Sequence, residues 1–99
     1  MIRLSRTARA QVSSLTSHYR NLDRPEAVRN LRNTIAKAAE RIEAQRGPFF
    51  PAPRPYPNLT RTGWLWLKEG PYWIAYGTDT AGPIIHALFH EAADIPNRL

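Results

Sequence analysis

The chain has no cysteine. That removes a disulfide framework and any thiolate metal site from consideration. It has no run of about 18 apolar residues, so no membrane span is expected. The opening MIRLSRTARA lacks the apolar stretch of a signal peptide. These absences predict a cytoplasmic protein. Lysine is scarce as well: twelve of the fourteen basic residues are Arg, leaving Lys37 and Lys68. No aromatic residue follows Phe89.

What is present is basic and unevenly spread. Ninety-nine residues carry a net charge of +6 and make one domain with a modest core. Residues 1–68 hold thirteen Lys and Arg against four Asp and Glu, whereas residues 69–99 hold one Arg against four acids. A field of this kind draws nucleic acid or an acidic protein partner. It is equally the signature of a solvated basic surface.

Hydrophobic periodicity divides the chain. Ile2 to Leu4 reads as a short edge strand. Ser5 is placed to cap a helix whose apolar face is Ala8, Val12, Leu15, Tyr19 and Leu22. Asp23-Arg24-Pro25-Glu26 has the form of a second helix start, with Asp23 as N-cap and Glu26 closing a capping box. Ala27, Val28, Leu31, Ile35, Ala38, Ala39 and Ile42 give that helix an apolar stripe to about Arg46, ending at Gly47-Pro48. The helical hairpin therefore spans about 5–46. Residues 47–57 hold five Pro in eleven positions and predict an extended connector, with Phe49, Phe50 and Tyr56 available to pin it. A PxxP-type ligand for a foreign domain is the other reading of that stretch.

The sheet is expected over residues 59–90. In Trp64 to Lys68, alternation sends Trp64, Trp66 and Lys68 one way and Leu65 and Leu67 the other. Glu69-Gly70-Pro71 is a turn, Tyr72 to Tyr76 a second strand, Gly77 to Pro83 a second turn, and Ile84 to His90 a third strand. Strand alternation puts Ile84, His86, Leu88 and His90 on one face and Ile85, Ala87 and Phe89 on the other. His86 and His90 then stand about 13 Å apart, too far to share one metal ion. Residues 91–99 form a short tail. The expected fold is α+β: a short N-terminal strand and a two-helix antiparallel hairpin packed on one face of a mainly antiparallel sheet of three or four strands. The first strand runs parallel to its neighbour at an edge, and the second face stays open.

This order resembles the RelE/ParE toxin superfamily of bacterial type II toxin–antitoxin pairs. The resemblance is carried by IRLSRTARAQV (2–12), RPEAV (24–28), Arg61, GPYWIAYGTD (70–79) and ALFHEAADIP (87–96). The last is similar to the "vlHgaRDiP" ending of the ParE branch, but has Ala93 where that ending carries Arg. The Pro-rich connector is another departure from the family pattern. The resemblance implies a ParE-like toxin that binds DNA gyrase, halts replication without an active site or cofactor of its own, and is neutralised in a hetero-oligomer with a cognate antitoxin. Nucleic acid would then be met only through the antitoxin or the target. Arg61, Trp64, Trp66, Trp73, His90 and Asp94 are the implied target or antitoxin contacts.

Two alternatives stay open. One is a RelE-like ribosome-dependent mRNA endonuclease, needing a base at the 2′-hydroxyl, an acid at the leaving oxygen and cations at the phosphate. Its candidates are Arg61, Lys68, His86, His90 and Glu91, but the C-terminal Tyr expected of that branch is missing. The other is an inactive toxin-like protein that survives as an antitoxin-binding partner. The residues themselves also admit plainer roles: His90 as a structural hydrogen-bonder, and the three Trp as core.

Overall fold

The computed structural model describes residues 2–53 and 56–92. Ser5 begins the fold. Its Oγ accepts from the Ala8 amide at 3.0 Å, capping helix α1 (Arg6–Asn21), and donates to the His86 carbonyl at 2.8 Å. The same hydroxyl thus starts a helix and ties it to a strand. Strand β1 (Arg3–Leu4) precedes it, and helix α2 (Pro25–Glu43) follows. Three strands complete the sheet: β2 (Leu65–Glu69), β3 (Tyr72–Asp79) and β4 (Gly82–His90). The sheet order is β1-β4-β3-β2, with β1 parallel to β4 and the other pairs antiparallel. The α+β expectation holds, including the parallel edge strand. No described helix is long and apolar enough to cross a membrane.

The helical hairpin covers one face. Leu31 and Ala38 of α2 and Ala8 of α1 are fully buried against Leu67, Ile74, Ile85 and Leu88 of the sheet. Each large aliphatic side chain sealed there contributes roughly 1.5–3 kcal/mol. Both helices close with a left-handed residue. Asp23 has φ 54°, and the Asp23 and Arg24 amides turn back to the Arg20 and Tyr19 carbonyls. Gln45 does the same at φ 55° after α2. This is the Schellman closure, and it corrects three expectations. Asp23 ends α1 instead of capping α2, which has no side-chain cap at Arg24. The second helix stops at Glu43, before Gly47-Pro48. Leu22, past the end of its helix, is exposed.

The second face is not open. Trp66, Trp73, Ala75, Ala87 and Phe89 are buried there beneath Phe50, Tyr56, Leu59 and Trp64. The Pro-rich connector is the lid over this second core, with Ala52 and Pro53 themselves buried. Phe49 and Phe50 straddle the β2 edge. Phe49 packs on the helical side, edge-on to Tyr76 at 5.3 Å, and Phe50 packs edge-on to Trp73 at 5.9 Å. Between them the Phe50 main chain makes a bridge to Trp66, two hydrogen bonds of 2.7 Å. An extended segment alternates its side chains, so two consecutive Phe reach two cores.

The hairpin between β3 and β4 is tighter than expected. Asp79 pairs with Gly82, and its carboxylate accepts from the Ala81 amide at 2.9 Å, so the turn is Thr80-Ala81. Most of the stretch from Gly77 to Pro83 is therefore strand. A bulge corrects the face assignment in β4. Ala75 pairs with Ala87 but Tyr76 pairs with Ile85, leaving His86 without an opposite residue. The extra residue reverses the alternation. Ile85 joins Leu88 on the helical face, while His86 joins Ala87 and Phe89 on the Trp face.

Candidate functional site

The bulge aims His86 at Trp64. The two rings are parallel within 7° with centroids 4.8 Å apart, and the Arg61 guanidinium lies 4.7 Å from the centre of the Trp64 ring. Arg61, Trp64 and His86 therefore form one layered stack, in which the cation meets the negative face of the indole. Gly77 makes room for it: a Cβ there would fall 2.7 Å from His86 Nε2 and 2.8 Å from the Gly63 carbonyl. Burial lowers the pKa of His86, with the Asp79 carboxylate acting in the opposite direction. Asp79 is held by Arg3, whose guanidinium also reaches the Gly82 carbonyl at 2.9 Å, and this pairing keeps the carboxyl below its ordinary value.

A second group lies further along the same face. Lys68 pairs with Glu91 in the wall of a cleft of about 790 Å³ lined by Arg41, Gly47, Pro48, Phe50, Lys68, Trp73 and Glu91. Phe50 and Trp73 give it an aromatic wall. Arg41 ties the lining together. Its guanidinium donates to the carbonyls of Arg46 at 3.1 Å, Lys68 at 2.9 Å and Pro48 at 3.4 Å, and to Glu69 Oε1 at 3.2 Å. One side chain thus joins the end of α2, the connector and β2. Nothing in the helical periodicity marks it, because Arg41 lies one position off the apolar stripe.

The bond from Lys68 is the main reason that the Glu91 carboxyl titrates below its ordinary value. A carboxyl lowered in this way adds stability above its unfolded pKa and loses that contribution as pH falls through the folded pKa. In Lys68→Met the Glu91 midpoint, followed by NMR titration, is expected to rise toward the ordinary glutamate range. A midpoint that stays low would assign the shift to another group.

His90 makes no hydrogen bond to either group, although its charge adds a smaller share to the lowering of the Glu91 carboxyl. It turns to the helical face, where its ring meets Tyr72 edge-on at 5.4 Å and its Nδ1 accepts from the Ala92 amide at 3.1 Å. Tyr72 in turn shares a 2.6 Å hydrogen bond with the Tyr19 hydroxyl. Burial, then that bond, raises the pKa of Tyr72. His90 thus makes a local hydrogen bond at the end of β4.

The five residues considered for acid–base chemistry accordingly do not converge. Arg61 and His86 meet around Trp64, Lys68 and Glu91 meet at the cleft, and His90 lies on the other side of the sheet. At strand rise the first two groups are separated by about 13 Å along β2. Of the three Trp considered as contacts, Trp66 is fully buried, Trp73 nearly so, and Trp64 keeps partial exposure. Asp94 and the rest of the ADIP ending lie outside the described residues. Comparison of the chain with family models, curated proteins and solved structures finds no match in any of the three.

Proposed function

We propose that this chain is a ParE-like toxin of a type II toxin–antitoxin pair, acting by binding DNA gyrase and neutralised by a cognate antitoxin. The observation that carries this reading over the mRNA endonuclease is the separation of the polar side chains. In-line cleavage of a phosphodiester needs its base, acid and phosphate-binding cations within reach of one phosphate. Here Lys68 is engaged by Glu91, Arg61 lies on Trp64, and His90 is on the opposite face. A strand–helix–helix–three-strand order with a parallel edge strand also supports the likeness stated from sequence. The basic N-terminal two thirds suits an acidic partner.

The test is pulse labelling of DNA and protein synthesis immediately after induction of the chain without an antitoxin. DNA labelling is expected to fall first, and purified protein is expected to accumulate cleaved DNA with gyrase while leaving RNA intact. An earlier fall in protein labelling would replace this reading with the endonuclease. Unchanged labelling of both would leave only a toxin-like binding partner.

A further inference from the structure

The larger cleft opens at a proline. Phe50 exchanges two main-chain hydrogen bonds with Trp66. Antiparallel pairing would next set Pro48 against Lys68. Pro48 has no N–H to give, and among the described residues no main-chain hydrogen bond joins these two. The connector parts from β2 at this point. The Arg41 guanidinium spans the gap, donating to the Lys68 carbonyl at 2.9 Å and to the Pro48 carbonyl at 3.4 Å. The space left is about 790 Å³, within the range of about 300–1,000 Å³ usual for small-ligand sites.

Two features of the lining have binding capacity to spare. The first is aromatic. The Phe50 and Trp73 rings are 5.9 Å apart with their planes inclined at 75°, which makes a corner. A flat ring laid on Phe50 therefore meets Trp73 edge-on, and stacked and edge-on contacts are the two favoured aromatic arrangements. The second is a cation. Lys68 lies directly opposite Trp73 in the β2–β3 register, so both stand on the same face. Its ammonium carries three N–H donors, and Glu91 is its one ionic partner among the described residues. Lys68 and Arg41 against Glu91 leave the lining one positive charge in excess, and Glu69, which pairs with Arg41, stands outside it. That excess suits a single negative charge. A dianion would be repelled more strongly by the Glu91 carboxylate.

We propose that this cleft binds a small aromatic carboxylate, its ring in the Phe50–Trp73 corner and its carboxylate on Lys68. Lys68 then divides its donors between the ligand and Glu91, so two carboxylates compete for one ammonium. An aliphatic acid of similar size would lose the ring contacts, and a neutral aromatic would lose the charged hydrogen bond. The ligand also joins the connector to the sheet where the ladder is interrupted, so occupancy stabilises the folded chain. This site goes beyond the proposed function and does not rest on it.

The probe is 2-naphthoate, titrated into the full chain at pH 7 by isothermal calorimetry. Saturable binding at one site is expected, with a melting temperature that rises with probe concentration. K68M is expected to weaken binding at least tenfold. K37M, the same change at an exposed position of α2, is expected to alter it less than twofold. F50L, which removes one wall of the corner, is expected to weaken it at least threefold. E91Q removes the competing carboxylate and is expected to tighten it. 2-Naphthamide and cyclohexanecarboxylate are each expected to bind at least tenfold more weakly than the probe. Thermal melts verify that the variants fold, with K68Q replacing K68M if it does not. No binding, equal losses in K68M and K37M, a loss in E91Q, or equal affinity for the neutral amide would overturn the proposal. So would tighter binding of 2-naphthyl phosphate with the same K68M loss, which would make the cleft a phosphate site.

Discussion

Trp66→Ala is expected to destabilise the chain by about 3–5 kcal/mol, the cost of truncating a fully buried aromatic side chain. Urea unfolding reads the loss directly, and in a domain of this size the melting temperature should drop by more than about 12 °C. The effect is this large because Trp66 lies at the centre of the second core. It is fully buried, near-parallel to Phe89 at 6.3 Å and tilted against Trp64 at 6.1 Å, with the Phe50 bridge across its main chain. Trp66→Phe separates volume from polarity. The indole Nε1 is buried with no hydrogen-bond partner among the described residues, and an orphaned buried donor costs about 1–3 kcal/mol. Phe keeps much of the ring volume and deletes that donor, so it is expected to lose less than half of what Ala loses. A loss within about 1 kcal/mol for Trp66→Ala would mean that the connector covers a surface and not a core.

Arg41→Ala is the second large effect, expected at about 2–3 kcal/mol. Hydrogen bonds from a charged donor are individually worth about 1.5–3 kcal/mol. The four made by Arg41 share one side chain and do not add in full. The Arg41–Glu69 pair is only about one fifth exposed (19% and 21%), so solvent screens it less than an open surface pair. Arg41→Lys is expected to recover less than half, because one ammonium cannot reach acceptors that diverge toward Arg46, Pro48, Lys68 and Glu69. The local signature is hydrogen exchange at the Phe50 and Trp66 amides. Both should exchange faster in Arg41→Ala, since the connector loses its tie to α2. Arg46→Ala, which removes an ion pair to Glu40 whose side chains are 59% and 68% exposed, is the control and should stay within about 0.5 kcal/mol. Equal effects from the two substitutions would remove Arg41 from its bracing role and leave the cleft wall to Pro48 and Phe50.

Much of the site was legible in outline. Trp64 and Trp66 share a face by simple alternation, and their grouping with Trp73 follows from the hairpin register that Glu69-Gly70-Pro71 imposes. The Lys68–Glu91 pair was not legible, since it depends on where β4 ends relative to β2. The division between His86 and His90 was hidden for a different reason. A single unpaired residue reverses the side-chain direction of a strand, and IIHAL carries no glycine or proline to mark it. Asp23 misled because the same residue types favour a helix N-cap and the left-handed position after a helix. Which role is taken depends on how closely two helices follow one another.

By itself the sequence determined the α+β class, the two amphipathic helices, the three C-terminal strands and the parallel edge strand. These rest on local periodicity and on turn residues, which act over a few positions. Tertiary structure alone decided that the Pro-rich connector roofs a second core, that Arg41 braces it, and that β4 bulges at His86. Each of these joins segments distant in the chain. Their geometry is set by which surfaces remain uncovered once the helices are packed, a quantity that no local pattern contains.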